Sequence, residues 1–301
     1  MNISECIGRT MTVRLTEIER RFGLKCEIYG KAELMNPGGS VKDRVAMAIL
    51  ESERQGNKLH RGGEVITATS GNFGIALAML SAYHGYKAKI VMPSSASEER
   101  RRLIKAYGQE VISIDGGMRE AIDTAEKMAR ESGGNYIDQF TNRKGVECHY
   151  KGTGRELWVD MQSNIDIFIT GIGTGATLSG VGTFLKERKR GIRIIGVEPK
   201  ESAVLSGYTV GAHSIEGIGA GFVPPLYDAT LVDGIEAVSS DEAKEYTREI
   251  ARCEGIFAGI SSGASLAAAV GLCRREGLRK KRIAIILCDR GERYFSRGVI
   301  D

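Results

Sequence analysis

The chain has 301 residues, 42% hydrophobic and 27% charged, which suits one large α/β unit or about two domains and excludes disordered, collagen-like and disulfide-framework proteins. Forty-two Lys and Arg against 38 Asp and Glu leave a net charge of +4 with no basic stretch interleaved with aromatics, so nucleic acid is not indicated as a partner. The six cysteines form no C-x-x-C and the four histidines no H-x-x-x-H, which argues against a metal centre and for reduced thiols, while a polar N-terminus and the lack of any apolar run of about 18 residues argue for a cytoplasmic protein with no membrane partner.

In chain order, the glycine-rich turn Asn36, Pro37, Gly38, Gly39, Ser40, Val41, Lys42, Asp43, Arg44 leads into the helical pattern VAMAILESE. Short apolar runs follow: EVITAT from Glu64, KAKIVMP from Lys87, EVISI from Glu110, IDIFITGI from Ile165, RIIGVEP from Arg193 and RIAIILC from Arg282. They are continuous rather than alternating, as expected of strands buried on both faces of a parallel sheet. Helical patterns lie between them. Residues 118–132 align Ala121, Ile122, Ala125, Met128 and Ala129 on one stripe, and residues 241–254 align Ala243, Tyr246, Ile250 and Cys253. GIALAMLSA from Gly74 and ASLAAAVGLC from Ala264 are apolar nearly all round, so they read as interior helices. The alternation of strand and helix predicts a two-lobed α/β fold with doubly wound, mostly parallel sheets. The polar stretch around Phe140 to Gly154 is the best candidate break between lobes, and a ligand cleft is expected at the carboxyl ends of the strands.

The sharpest local signal is the strand ending at Gly171, then Gly173, Gly175 and Ala176, then a helix. Glycines let backbone N–H groups approach a phosphate, and the helix adds its positive end. Read as G-x-G-x-x-A with Glu198 at the end of the next strand, the segment also fits a dinucleotide fingerprint. On these residues a nicotinamide enzyme, another phosphate-bearing cofactor and a structural loop all remain open. Lys42 begins a helix, where burial and the helix's positive end both disfavour its charged form, and a neutral amine is the nucleophile a Schiff base requires. Thr69, Ser70, Gly71, Asn72, Phe73 and Gly74 make a third strand-to-helix turn, sized for a carboxylate, although helix capping by Ser or Thr explains it as well. Three anion-binding turns and a lysine at a helix start suit a pyridoxal phosphate enzyme better than a dehydrogenase.

The segments MNPGGSVKDR, TSGNFGIALA, GIGTGATLSGV, HSIEGIGAGFVP, EGIFAGISSGAS and GERYFS resemble, in order, the motifs of the cysteine synthase (O-acetylserine sulfhydrylase) family of fold-type II pyridoxal phosphate enzymes, over nearly the whole chain. The resemblance implies a tryptophan synthase β-like fold, with residues 36–145 as a smaller domain and residues 1–35 plus 146–301 as a larger one. It implies that Lys42 carries pyridoxal 5'-phosphate and moves the Cα proton, and that Asn72 bonds the cofactor's phenolic oxygen. Gly173, Thr174, Gly175, Ala176 and Thr177 would hold its phosphate, and Ser261 its ring nitrogen. Thr69, Ser70, Gly71 and Gln139 would grip the substrate carboxylate, with Gly71 and Gly74 flexing as that loop closes, and Gly217 to Phe222 would line the entrance. The implied reaction is β-replacement on O-acetylserine by sulfide through an aminoacrylate. The implied partners are an amino-acid substrate, a second copy of the chain in a homodimer, and a serine acetyltransferase.

Several residues depart from the family pattern. Ala176 stands where glycine is usual, Phe73 replaces a threonine that helps bind the carboxylate, and Cys288, Asp289 and Arg290 stand where Pro-Ser-Ser is common. The DRGERY segment is similar to relatives in diaminopropionate pathways that accept O-phosphoserine, which keeps O-phosphoserine, serine and cysteine open as donors. If Arg290 points into the cleft, its planar fork suits a phosphate leaving group.

Overall fold

The computed structural model describes residues 2–300. Among these, ten strands form two sheets. The larger has six strands in the order β1 (Thr12–Arg14), β2 (Lys25–Ala32), β10 (Arg279–Leu287), β7 (Ile167–Gly171), β8 (Arg193–Pro199) and β9 (Gly234–Val238). The smaller has four, ordered β5 (Glu110–Ile114), β4 (Lys87–Pro93), β3 (Glu64–Ala68) and β6 (Asn135–Tyr136). Every pairing is parallel except β1 with β2.

The helices are α1 (Thr16–Arg21), α2 (Lys42–Gln55), α3 (Asn72–His84), α4 (Glu98–Ala106), α5 (Met118–Ser132), α6 (Lys144–Cys148), α7 (Arg155–Asp160), α8 (Ala176–Arg188), α9 (Ser240–Glu254) and α10 (Ile260–Arg275). The two all-apolar patterns are α3 and α10, and both are buried along most of their length. The striped patterns are α5 and α9, which bury Ala121, Ala125 and Ala129, and Ala243 and Ile250. Burying such stripes removes roughly 25 cal/mol per Å² of apolar surface from water, the main favourable contribution to folding. No helix among the described residues is long and apolar enough to cross a membrane.

β2 is central although KCEIYGKA mixes charge with apolar residues. Its Lys31 is fully buried and is held by the Thr10 carbonyl at 2.6 Å and by Glu156 and Asp160 at 3.0 Å each. Arg44, in the first turn of α2, is likewise clamped by Glu33 and Glu156. One expectation is corrected: Cys26 on β2 and Cys273 on α10 are paired as a disulfide within the apolar cluster under the large sheet, and Cys6, Cys148, Cys253 and Cys288 are free. Burial between β2 and α10 brings together two thiols that lie 247 residues apart, a proximity no local spacing reveals. The carboxyl ends of β3, β7 and β10, one from the small sheet and two from the large, lead into the segments that carry the candidate site.

Candidate active site

Those strand ends surround a cavity of about 260 Å³. Lys42, Thr69, Ser70, Gly71, Asn72, Gln139, Gly173, Thr174, Gly175, Thr177 and Ser261 all line it, so residues spread over 220 positions of sequence converge on one space. Ala176 lies just behind the wall. It is buried as the first residue of α8, with its methyl against Gly145, where a Cβ would sit 3.4 Å away; the extra carbon relative to glycine therefore fills space left by a second glycine.

Lys42 is the first residue of α2 and lies deep in the cavity. Burial pushes its ammonium below the ordinary lysine value, with the Cys288 and Cys148 sulfurs acting weakly in the other direction. Val41 N–H donates to the Cys288 carbonyl at 2.8 Å, which ties the residue before Lys42 to the end of β10. Burial also pushes the Cys288 thiol up to about 12, so a neutral sulfhydryl faces Lys42 and Ser261.

The turn between β7 and α8 is an anion cradle. Gly175 caps α8 with φ +84°, and a Cβ there would stand 2.6 Å from Tyr227 N; one on Gly173 would stand 2.3 Å from the Gly217 carbonyl oxygen. Only glycine lets this backbone lie so close to its neighbours. The Gly173, Thr174 and Gly175 N–H groups meet no protein acceptor among the described residues, and α8 adds its positive N-terminal end. Behind the cradle, His149 lies 3.2 Å through Nε2 from the Thr177 hydroxyl and 2.9 Å through Nδ1 from that of Thr153. Burial and the nearby charges of Arg44 and Lys42 hold this imidazole well below its ordinary pKa, so it braces Thr177 as a neutral ring.

On the opposite wall, the Thr69 hydroxyl accepts from Gly71 N–H at 3.1 Å, and Gln139 Nε2 donates to the Ala68 carbonyl at 3.5 Å. Asn72 is held from both ends: its Nδ2 donates to Asp289 at 2.5 Å and its Oδ1 accepts from Arg293 at 2.5 Å. The buried Asp289 also accepts from the Tyr294 hydroxyl, itself 2.8 Å from an Arg100 nitrogen. Gly217, Ile218, Gly219 and Ala220 close the side facing this loop.

Three possibilities raised by the sequence are not realised. Gly74 is no hinge: it lies inside α3, where a Cβ would stand 2.7 Å from Thr69 and 2.8 Å from Ile90, so it is a packing glycine. Arg290 does not enter the cavity; its exposed side chain donates to the Leu34 carbonyl at 3.1 Å. Glu198 is no ribose ligand, because its buried carboxylate accepts from Leu205 N, Ser206 N and the Ser206 hydroxyl at 2.8, 3.1 and 2.5 Å. Phe73 is buried and forms part of the wall.

The sequence reading missed Arg100, His213 and Glu216, which also line the cavity. Arg100 sits in EERRR, which reads as a solvated helix face, yet it is only 1% exposed, packed under Gly71 and 4.9 Å from the Tyr294 ring. Its place in such a run carries no local signal.

A family profile described as pyridoxal-phosphate dependent enzyme matches residues 3–289. A cysteine synthase of Staphylococcus aureus is 42% identical over 298 residues, covering 98% of this chain and 95% of its own. The crystal structure of an O-ureido-L-serine synthase superposes with a TM-score of 0.95 at 35% identity, covering 99% of this chain and 95% of the other. That of a cysteine synthase from Entamoeba histolytica gives 0.93 at 40% identity, covering 99% and 90%.

Proposed function

The chain belongs to the pyridoxal-phosphate dependent enzyme family, and from that premise we propose that it performs β-replacement on an activated serine, converting O-acetyl-L-serine and hydrogen sulfide into L-cysteine and acetic acid. The observation that carries this reading is the convergence of a deep lysine amine, a glycine cradle with unbonded N–H groups and a carboxylate-sized loop on one cavity. These groups fit the cofactor: an aldehyde needs the neutral amine, and its phosphate needs donors at a helix end rather than a paired cation.

Pyridoxal phosphate, when bound, acts as an electron sink for the bonds at the substrate's Cα. In this reading Gly173, Thr174, Gly175, Ala176 and Thr177 hold the phosphate through backbone N–H groups and hydroxyls. Ser261 meets the ring nitrogen with a neutral hydroxyl, which leaves the ring less electron-withdrawing than a carboxylate would and favours loss of the leaving group from Cβ. Asn72, held between Asp289 and Arg293, presents its amide in one orientation to the ring. Thr69, Ser70, Gly71 and Gln139 bind the substrate carboxylate and so set Cα against Lys42. The Lys42 amine takes the Cα proton and later returns it to Cα; burial lowers its pKa and so favours the neutral form that can accept a proton. Phe73 and Ile218 exclude water from Cβ.

An acetyl donor is favoured over O-phosphoserine because Arg290 faces away, and the cations near the cavity share a carboxylate. Incubating the holoenzyme with sulfide and, in turn, O-acetylserine, O-phosphoserine, serine and cysteine tests this. O-acetylserine should give the largest kcat/KM for cysteine formation or sulfide exchange, and a larger value for any other donor would displace it. The same reading carries the homodimer, the serine acetyltransferase partner and the cytoplasmic location, for which light scattering of the purified protein, alone and mixed with the acetyltransferase, and cell fractionation are the checks.

A further inference from the structure

In the reading above, the turn that opens α3 performs two tasks on consecutive residues: Ser70 and Gly71 meet the substrate carboxylate, and Asn72 meets the cofactor's phenolic oxygen. One buried chain of hydrogen bonds runs beneath both. Its middle member is Tyr294, fully buried in the short 3-10 helix Gly291–Arg297 that comes after β10. Burial and the Asp289 charge push the Tyr294 phenol above its ordinary pKa, so it keeps its proton and donates to Asp289 Oδ2. The same hydroxyl oxygen accepts from an Arg100 nitrogen at 2.8 Å, and the Arg100 guanidinium lies 4.9 Å from the centre of the Tyr294 ring.

From Arg100 the chain reaches the carboxylate half of the turn. Arg100 Nη1 donates to the Ser70 carbonyl at 3.3 Å, and the guanidinium packs so closely under Gly71 that a Cβ there would stand 2.7 Å from its Nε and Cζ. Glu216, on the cavity wall, pairs with the same guanidinium through one oxygen and lies 2.5 Å from Arg297 Nε through the other, which fixes the cation from the far side. From Asp289 the chain reaches the cofactor half. Asp289 Oδ2 accepts one Asn72 Nδ2 proton, and Arg293 donates to Asn72 Oδ1, each at 2.5 Å. A guanidinium only donates and Asp289 is the acceptor, so the amide cannot be turned over. Its carbonyl is engaged and one of its two N–H groups is taken, which leaves a single N–H for the phenolic oxygen.

We propose that Tyr294 is a positioning residue: by joining Asp289 to Arg100, its hydroxyl holds the carboxylate-binding and cofactor-binding halves of this turn as one unit, so that a carboxylate bound at residues 69–71 is felt at the cofactor's phenolic oxygen. This rests on the site reading above and adds what keeps its two halves in register. Tyr294 touches neither substrate nor cofactor, so it acts only through Asn72 and the turn. The sign of the effect follows from charge. An N–H donated to the phenolic oxygen favours its ionised form, so an Asn72 released from its clamp shifts the bound cofactor toward the protonated phenol, which absorbs at shorter wavelength.

The test uses acetate, which has the carboxylate but no amine and so occupies the turn without displacing Lys42 from the cofactor. It is added to holoenzyme at concentrations that inhibit O-acetylserine turnover competitively, with chloride at equal ionic strength as the control. In the wild type the visible band of the cofactor should move with acetate and not with chloride. Tyr294→Phe keeps the ring and removes the hydroxyl; its resting band should shift to shorter wavelength, its response to acetate should be lost, and its KM for O-acetylserine should rise by about tenfold, as for loss of a hydrogen bond to a charged group. An unmoved wild-type band at inhibitory acetate overturns the inference without any variant. If Tyr294→Phe keeps the wild-type band and acetate response and only melts earlier or turns over more slowly, the hydroxyl is structural and the inference falls, while cysteine formation by the wild type leaves the β-replacement reading standing. If the wild type forms no cysteine from O-acetylserine and sulfide, the underlying reading fails and takes the inference with it.

Discussion

Arg44 offers the most quantitative test of how the fold presents Lys42, which lies two residues before it on the first turn of α2. Its guanidinium donates to both Glu33 oxygens at 2.7 Å and to both Glu156 oxygens at 2.7 Å, with Glu33 fully buried. Arg44→Met keeps the volume but leaves the Glu33 carboxylate in the interior with only Thr10 and Asn36 as donors. Stripping one partner from a buried pair costs about 3–5 kcal/mol, and adding Glu33→Gln should recover part of that loss. The network also has a pH signature. Burial pushes the Glu156 carboxyl up, but hydrogen bonds and charge from Arg44 and Lys31 outweigh it and hold the group at about 2, below its ordinary 4.5. A depressed carboxyl contributes stability that is present above the unfolded value and is lost as pH falls from about 4.5 towards 2. Urea unfolding of the holoenzyme, at neutral pH and along an acid series, measures both effects. A loss below about 1 kcal/mol, the range of exposed ion pairs, or an acid slope that Arg44→Met leaves unchanged would refute the idea that this network anchors α2.

Gly173→Ala should weaken cofactor binding by about tenfold or more, because its Cβ would lie 2.3 Å from the Gly217 carbonyl oxygen and displace the cradle; titration of the apoenzyme with pyridoxal phosphate, followed by fluorescence, checks this, and an unchanged Kd contradicts it. Because burial lowers the Lys42 pKa, the rate at which the apoenzyme captures the cofactor aldehyde should rise with pH through a midpoint below the ordinary 10.5; a midpoint at or above that value contradicts the burial argument. Arg290→Ala should change stability by less than about 0.5 kcal/mol and leave the kcat/KM ratio of O-phosphoserine to O-acetylserine unaltered, whereas a shift in that ratio would place the side chain in the site after all.

Much of this architecture is legible in sequence because parallel sheets impose a strong signal. The runs at Glu64, Lys87, Ile165, Arg193 and Arg282 coincide with β3, β4, β7, β8 and β10, since strands covered on both faces are apolar nearly throughout; the run at Glu110 coincides with β5, an edge strand with no buried residue. β2 escapes that rule because Lys31 is neutralised by Glu156 and Asp160, which are far away in sequence. β9 escapes it as an edge strand with half-exposed residues. The glycine turns around Gly175 and Gly38 are legible for a different reason: backbone approach and positive φ restrict the residue type locally. Arg100, Glu216 and the Asp289–Asn72–Arg293 chain depend on contacts between distant segments, and a charged residue in a charged run looks the same whether it faces water or a cavity. Arg290 misleads in the opposite sense, being next to a matched motif yet turned outward to the Leu34 carbonyl.

The account depends most directly on Lys42 as the residue that holds the cofactor. Reducing the holoenzyme with borohydride, digesting it and mapping the peptides by mass spectrometry tests that alone. The phosphopyridoxyl increment should fall on Lys42 and be absent from Lys42→Ala; finding it on Lys151, Lys186 or any other lysine would contradict the assignment of this cavity as the active site.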